Sequence, residues 1–164
     1  YGSRVLPGLP RLKDIPVMKN IVVASSWAVS TTFLPAAHMM GAILAIAVVF
    51  CFMFGKAFIN TVLYDVRDIK GDSEKGVKTI PVIVGQNRTI HLLLIMNSIL
   101  LLLAQVFILG NAKLLATSLV LYGYFYILYF TKITQPLAMD LLIDGEWLNF
   151  SIVLLLLKGC GFLA

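Results

Sequence analysis

Five long apolar runs constrain this chain more than any other feature. They lie at Asn20–Ala37, Met39–Tyr64, Thr89–Leu109, Leu114–Phe130 and Trp147–Leu163. A helix rises about 1.5 Å per residue, so roughly 17–25 residues cross a hydrocarbon layer of about 30 Å. The second run exceeds that need and is expected to tilt, or to project into water at its end. The stretch Leu92–Leu109 has no period-2 alternation, so strands are not expected. Composition agrees: 60% of the 164 residues are apolar and 13% are charged. A soluble domain carries about 25% charged residues, and disorder needs low hydrophobicity, so both classes are excluded. The expected fold is all-α, a polytopic transmembrane helix bundle of about five spanning helices in a single transmembrane domain over residues 1–164.

The loop charges are lopsided. Arg4, Arg11, Lys13, Lys19, Arg67, Lys70, Lys75, Lys78, Arg88 and Lys132 fall on one side, which is 10 of the 13 basic residues. The opposite side has Lys113, while Lys56 and Lys158 lie within runs. Basic loops stay inside, so the ten-residue side is expected to be cytoplasmic in the cell membrane. All eight acidic residues are expected on that side too. The net charge of +5 is then a matter of topology. No nucleic-acid-binding pattern accompanies it, so nucleic acid is not an expected partner. Cys51 and Cys160 sit in separate apolar runs and read as small hydrophobes rather than a disulfide pair. The first residue is Tyr1, with no signal-peptide pattern after it, and the start reads as an internal point of a longer protein.

The only long polar loop, Asp65–Arg88, carries the chemistry, and a last loop opened by Gln135 and Pro136 is expected to hold Asp140, Asp144 and Glu146. Asp65, Asp68 and Asp72 are spaced i, i+3, i+7, which places them on one helical face if the second helix continues past the bilayer. Three like charges on one face repel unless a cation sits among them. Hard oxygen ligands suit Mg²⁺, which tends to bind through a few carboxylates plus substrate phosphates. Arg67, Lys70, Lys75 and Lys78 interleave with the acids, as a diphosphate site requires. A solvated loop that keeps the helix ends in water is the plainer reading. The spacing matches neither an EF-hand nor a P-loop.

The segment YDVRDIKGDSEKGVKTIPVIVG (64–85) resembles the second aspartate-rich motif of the UbiA-type intramembrane prenyltransferases. The resemblance implies a nine-helix bundle, of which this chain would be the C-terminal part, around a cavity open to the membrane. It implies two facing aspartate motifs that hold Mg²⁺ on a prenyl diphosphate, with Asp65, Asp68 and Asp72 as the second. Lys13 would touch diphosphate, with Lys19 as runner-up, alongside Arg67, Lys70 and Lys78. The first motif is absent from this chain, so half of such a metal site is expected here. The implied activity is transfer of an isoprenoid group to an aromatic or lipid-like acceptor held among membrane lipid.

Lys56 is the most costly residue in the runs, since a lysine inside a membrane helix usually faces a polar cavity. Asn60 and Tyr64 follow at i+4 and i+8, so Lys56, Asn60 and Tyr64 are expected to line a substrate cavity. Snorkelling, or a charge pair with another helix, is the alternative. Tyr122, Tyr126 and Tyr129 share a face and suit either cation stabilisation or packing at the interface. Trp27 and Trp147 read as interface anchors. His38 and His91 have no ligand-spaced neighbours. A membrane transporter, with Lys56 on its pathway, and a non-catalytic membrane scaffold are the competing functions. The apparent lack of acids at the centres of the last three runs speaks against transport.

Overall fold

The computed structural model describes residues 15, 17–36, 43–130, 132 and 135–160. These residues form seven helices and no strand. They are α1 (Met18–Ala36), α2 (Ile43–Arg67), α3 (Ile69–Glu74), α4 (Ile80–Val84), α5 (Gln86–Phe107), α6 (Gly110–Phe130) and α7 (Pro136–Gly159). The chain is therefore a polytopic helical bundle, as its apolar runs imply. Among the described residues, α2, α5 and α6 are each long and apolar enough to cross a membrane. The other two expected spans are helices α1 and α7, of 19 and 24 residues, with more polar sequences.

The helices pack in a continuous series. α1 lies on α2, α2 on α5, α5 on α6 and α6 on α7, and α7 returns to touch α2. Ile59, Val62 and Leu63 of α2, Leu93 and Leu100 of α5, and Val120, Ile127 and Phe130 of α6 form the core. Ile95, Ile99, Leu102 and Val106 of α5 are exposed, as suits a face turned to lipid. Thr32 Oγ1 of α1 is buried without a hydrogen-bond partner among the described residues, but three other hydroxyls of this helix are met. Ser26 donates to the Val22 carbonyl, Ser30 to Ser26 and Thr31 to Trp27, so each is satisfied within its own helix.

Two expected boundaries need correction. The Asp65–Arg88 stretch is not one long loop. α2 runs on to Arg67, Asp68 takes a non-helical turn with φ −92° and ψ 8°, and α3 and α4 follow. The last helix begins at Pro136, not Trp147. Proline suits the first turn of a helix, where its missing N–H would have no partner. Asp140, Asp144 and Glu146 therefore belong to a helix rather than a loop. Glu146 is buried and pairs with Lys56 and Asn60 of α2.

Candidate functional site: a carboxylate mouth above a helix-lined cavity

The acidic motif occupies the end of α2 and the start of α3. Asp65 is buried, and its two oxygens take different partners on α1. Asn20 Nδ2 donates at 2.8 Å, and Lys19 Nζ pairs at 3.1 Å. Asp68 is exposed and accepts from Arg67 Nε at 2.9 Å and Nη2 at 3.2 Å. That hydrogen bond holds the Asp68 carboxyl below its usual range. Arg67 also reaches Asp140 of α7 through Nη1. Asp72 is half-buried in the first turn of α3, and Lys70 and Lys78 are exposed. Lys13 lies outside the described residues.

The turn at Asp68 interrupts the single helical face expected for the three carboxylates. Among the described residues, no three His, Cys, Asp or Glu side chains come close enough to hold a metal ion. The donor set nevertheless fits a hard divalent cation in its chemistry, since carboxylate oxygens are the ligands such an ion prefers. Ligands to complete a site would have to come from elsewhere, diphosphate oxygens included.

Below the mouth, α1, α2 and α7 enclose a cavity of about 290 Å³. Lys56, Asn60 and Tyr64 all line it, on one face of α2. Their spacing of eight residues spans about 12 Å along the axis. Val23, Met53, Ile143 and both tryptophans, Trp27 and Trp147, supply apolar wall. The tryptophans are thus cavity residues as well as half-exposed ones, which their reading as interface anchors misses.

A buried polar network backs the cavity. Lys56 Nζ lies 2.5 Å from Glu146 Oε1 of α7. It also donates to the Leu119 carbonyl at 3.2 Å and to the Tyr126 hydroxyl at 3.1 Å. The first contact is an ion pair and the other two are hydrogen bonds. Asn60 Nδ2 donates to Glu146 Oε2 at 3.0 Å, and Tyr126 donates to Asn60 Oδ1 at 2.7 Å. Lys56 is therefore charge-paired with another helix, and it lines the cavity too. The three tyrosines of α6 part company: Tyr126 is buried in this network, Tyr122 donates to the Leu142 carbonyl, and Tyr129 is exposed.

Sequence reasoning passed over Glu146, Asp140, Asp144 and Asn20. One signal for Glu146 was available. A lysine at membrane depth needs a counter-charge, and Pro136 marks a helix start that would carry Glu146 inward.

A profile of the UbiA prenyltransferase family matches residues 8–140. A digeranylgeranylglyceryl phosphate synthase of Thermococcus kodakarensis is 37% identical over 83 residues, covering 49% of this chain and 28% of that protein. Its counterpart of Natronomonas pharaonis is 30% identical over 80 residues, covering 48% of this chain and 28% of that protein. The match thus spans little more than a quarter of these relatives. No solved structure matches at a comparable level. The family match takes in the carboxylate mouth, most of the cavity wall and four of the five long helices, and the chain belongs to the UbiA prenyltransferase family.

Proposed function

We propose that the protein containing this chain is a membrane prenyltransferase that uses Mg²⁺ to move an isoprenoid group from a prenyl diphosphate to a lipid-like acceptor. The observation that carries the reading is the acidic motif at the mouth of a largely apolar cavity, in a chain of the UbiA family. The likeness to two digeranylgeranylglyceryl phosphate synthases favours a glyceryl phosphate lipid over an aromatic acceptor. Asp65, Asp68 and Asp72 would hold the ion, with Lys13, Lys19, Arg67, Lys70 and Lys78 on diphosphate oxygens. The ion would supply charge stabilisation of the departing diphosphate.

The chain's own residues do the rest. Asn20 and Lys19 fix the Asp65 carboxylate in one orientation. Arg67 holds the ends of α2 and α7 together by pairing with both Asp68 and Asp140. The cavity keeps water from the reacting carbon while its C–O bond breaks toward an allylic cation. Lys56, Asn60 and Tyr64 form its polar strip. The carboxylate mouth would face the cytoplasm of a cell membrane, as the basic loops on that side favour.

The test is Mg²⁺-dependent diphosphate release and lipid product formation by the whole protein in detergent, supplied with geranylgeranyl diphosphate and a glyceryl phosphate lipid. Asp65→Asn and Asp68→Asn are each expected to lower the rate by about a hundredfold or more. Full activity in both variants would overturn the metal role. A transport function has one observation in its favour, the buried Lys56–Glu146 pair. Detergent removes the two compartments that transport needs, so product formation there decides for the transferase.

A further inference from the structure

Five carboxylates gather around the inner half of α2 and the facing turns of α7. Four of them are neutralised. Asp65 pairs with Lys19, Asp68 and Asp140 share Arg67, and Glu146 pairs with Lys56. Asp144 differs. Its side-chain partner is the neutral hydroxyl of Tyr64, which donates to Oδ1 at 3.3 Å. It is also the one carboxylate among the described residues that lines the cavity.

We propose that Asp144 is a catalytic base of this cavity, taking the proton from a hydroxyl of a lipid-like acceptor. The assignment rests on the prenyl-transfer reading. A carboxylate bonded to a cation has its charge stabilised and its lone pairs engaged, so it is a poor proton acceptor. Asp144 has no ion pair among the described residues, and the long Tyr64 hydrogen bond engages Oδ1 only. Glu146 does not line the cavity, and Lys56 and Asn60 engage its two oxygens, so it is excluded. The neighbours of Asp144 on α7, Ile143 and Trp147, provide apolar wall for an acceptor's chains.

The arrangement separates the two reactants. Tyr64 and Asp65 are consecutive on α2, so their side chains point about 100° apart. Asp65 turns to α1 and the carboxylate mouth, whereas Tyr64 turns to α7 and Asp144. The diphosphate would bind on the first side and the acceptor hydroxyl on the second. In the transfer step the allylic C–O bond breaks and its electron pair leaves with diphosphate. An acceptor oxygen lone pair forms the new C–O bond, and the hydroxyl proton moves to Asp144.

The experiment measures transfer from geranylgeranyl diphosphate to a monoalkyl glyceryl phosphate with a free hydroxyl, using the whole protein. Asp144→Asn is expected to lower kcat for transfer by about a hundredfold or more. The KM for the prenyl diphosphate should stay within about twofold, since Asp144 is off the diphosphate side. Asp144→Glu, which restores a base, should regain at least about tenfold over Asp144→Asn. Transfer by Asp144→Asn within about threefold of wild type would overturn the assignment. So would equal loss in the Asn and Glu variants, or a rise in prenyl diphosphate KM that matches the fall in rate. Wild-type protein that transfers nothing overturns the transferase reading itself, an outcome seen before any variant is compared.

Discussion

Gly123 shows how closely the polar network is fitted. A Cβ at this position of α6 would lie 2.6 Å from Asn97 Oδ1 and 2.8 Å from Lys56 Nζ. Neither neighbour can yield freely, because Asn97 donates to the Val120 carbonyl and Lys56 has three partners. Gly123→Ala is therefore expected to destabilise the protein by about 1–3 kcal/mol, read as a lower melting temperature in detergent. The mouth gives a second expectation. The Asp68 carboxyl is held low chiefly by its hydrogen bond from Arg67. A group whose pKa is depressed on folding stabilises fully above its unfolded value, about 4, and loses that contribution as pH falls through the lower folded value. The pair is substantially exposed, at 26% and 53% for its two side chains, so it contributes no more than about 1 kcal/mol. The stability difference between wild type and Asp68→Asn should be constant from about pH 7 to pH 5 and shrink below about pH 4. A difference that instead grows on acidification would contradict the pairing.

At the scale of elements, α7 is tied to α2 at three levels: Glu146 with Lys56, Asp144 with Tyr64, and Asp140 with Arg67. Only the first is buried at both ends. Removing one partner leaves a charge uncompensated in low dielectric, so Lys56→Met and Glu146→Leu should each cost about 3–5 kcal/mol. The double variant Lys56→Met/Glu146→Leu should recover most of that loss, short of about 1 kcal/mol for the partner Asn60 loses. Melting temperatures of the four proteins close the cycle, and strictly additive losses would show that the pair is not coupled. The same helices mark how far the sequence could be read. α2, α5 and α6 were legible because unbroken apolar runs leave few alternatives to a spanning helix. The segment from Asp65 to Asp72 stood out by its spacing and lies within the family match, but the turn at Asp68 that divides it was not legible. The front half of α7 was not, because its acids read as loop until their partners on other helices are known. Asn60 and Glu146 stand 86 residues apart, and Asn20 and Asp65 stand 45 apart. Local pattern carries no information at that range. Lys56 was conspicuous by itself, and its partner was hidden for the same reason.

For the whole molecule, the bundle sorts its polar groups by end. α5 and α6 are joined by two residues, Ile108 and Leu109, so they run antiparallel and turn at the end away from the carboxylate mouth. Side-chain bonds between them agree, since Ser98 meets Tyr124 and Gln105 meets Thr117. Arg67, Lys70, Lys75, Lys78 and Arg88 cluster at the mouth end, and Lys113 is at the other. If loop charge sets orientation, the end with the carboxylates is cytoplasmic. The exposed positions Lys75 and Ala112 mark the two ends. Each can carry a single cysteine in a background where Cys51 and Cys160, both exposed, are replaced by serine. A membrane-impermeant maleimide added to intact cells should label Ala112→Cys and leave Lys75→Cys unlabelled until the cells are opened. The reverse pattern would invert the bundle and put the carboxylate mouth outside, against the proposed use of a cytoplasmic prenyl diphosphate.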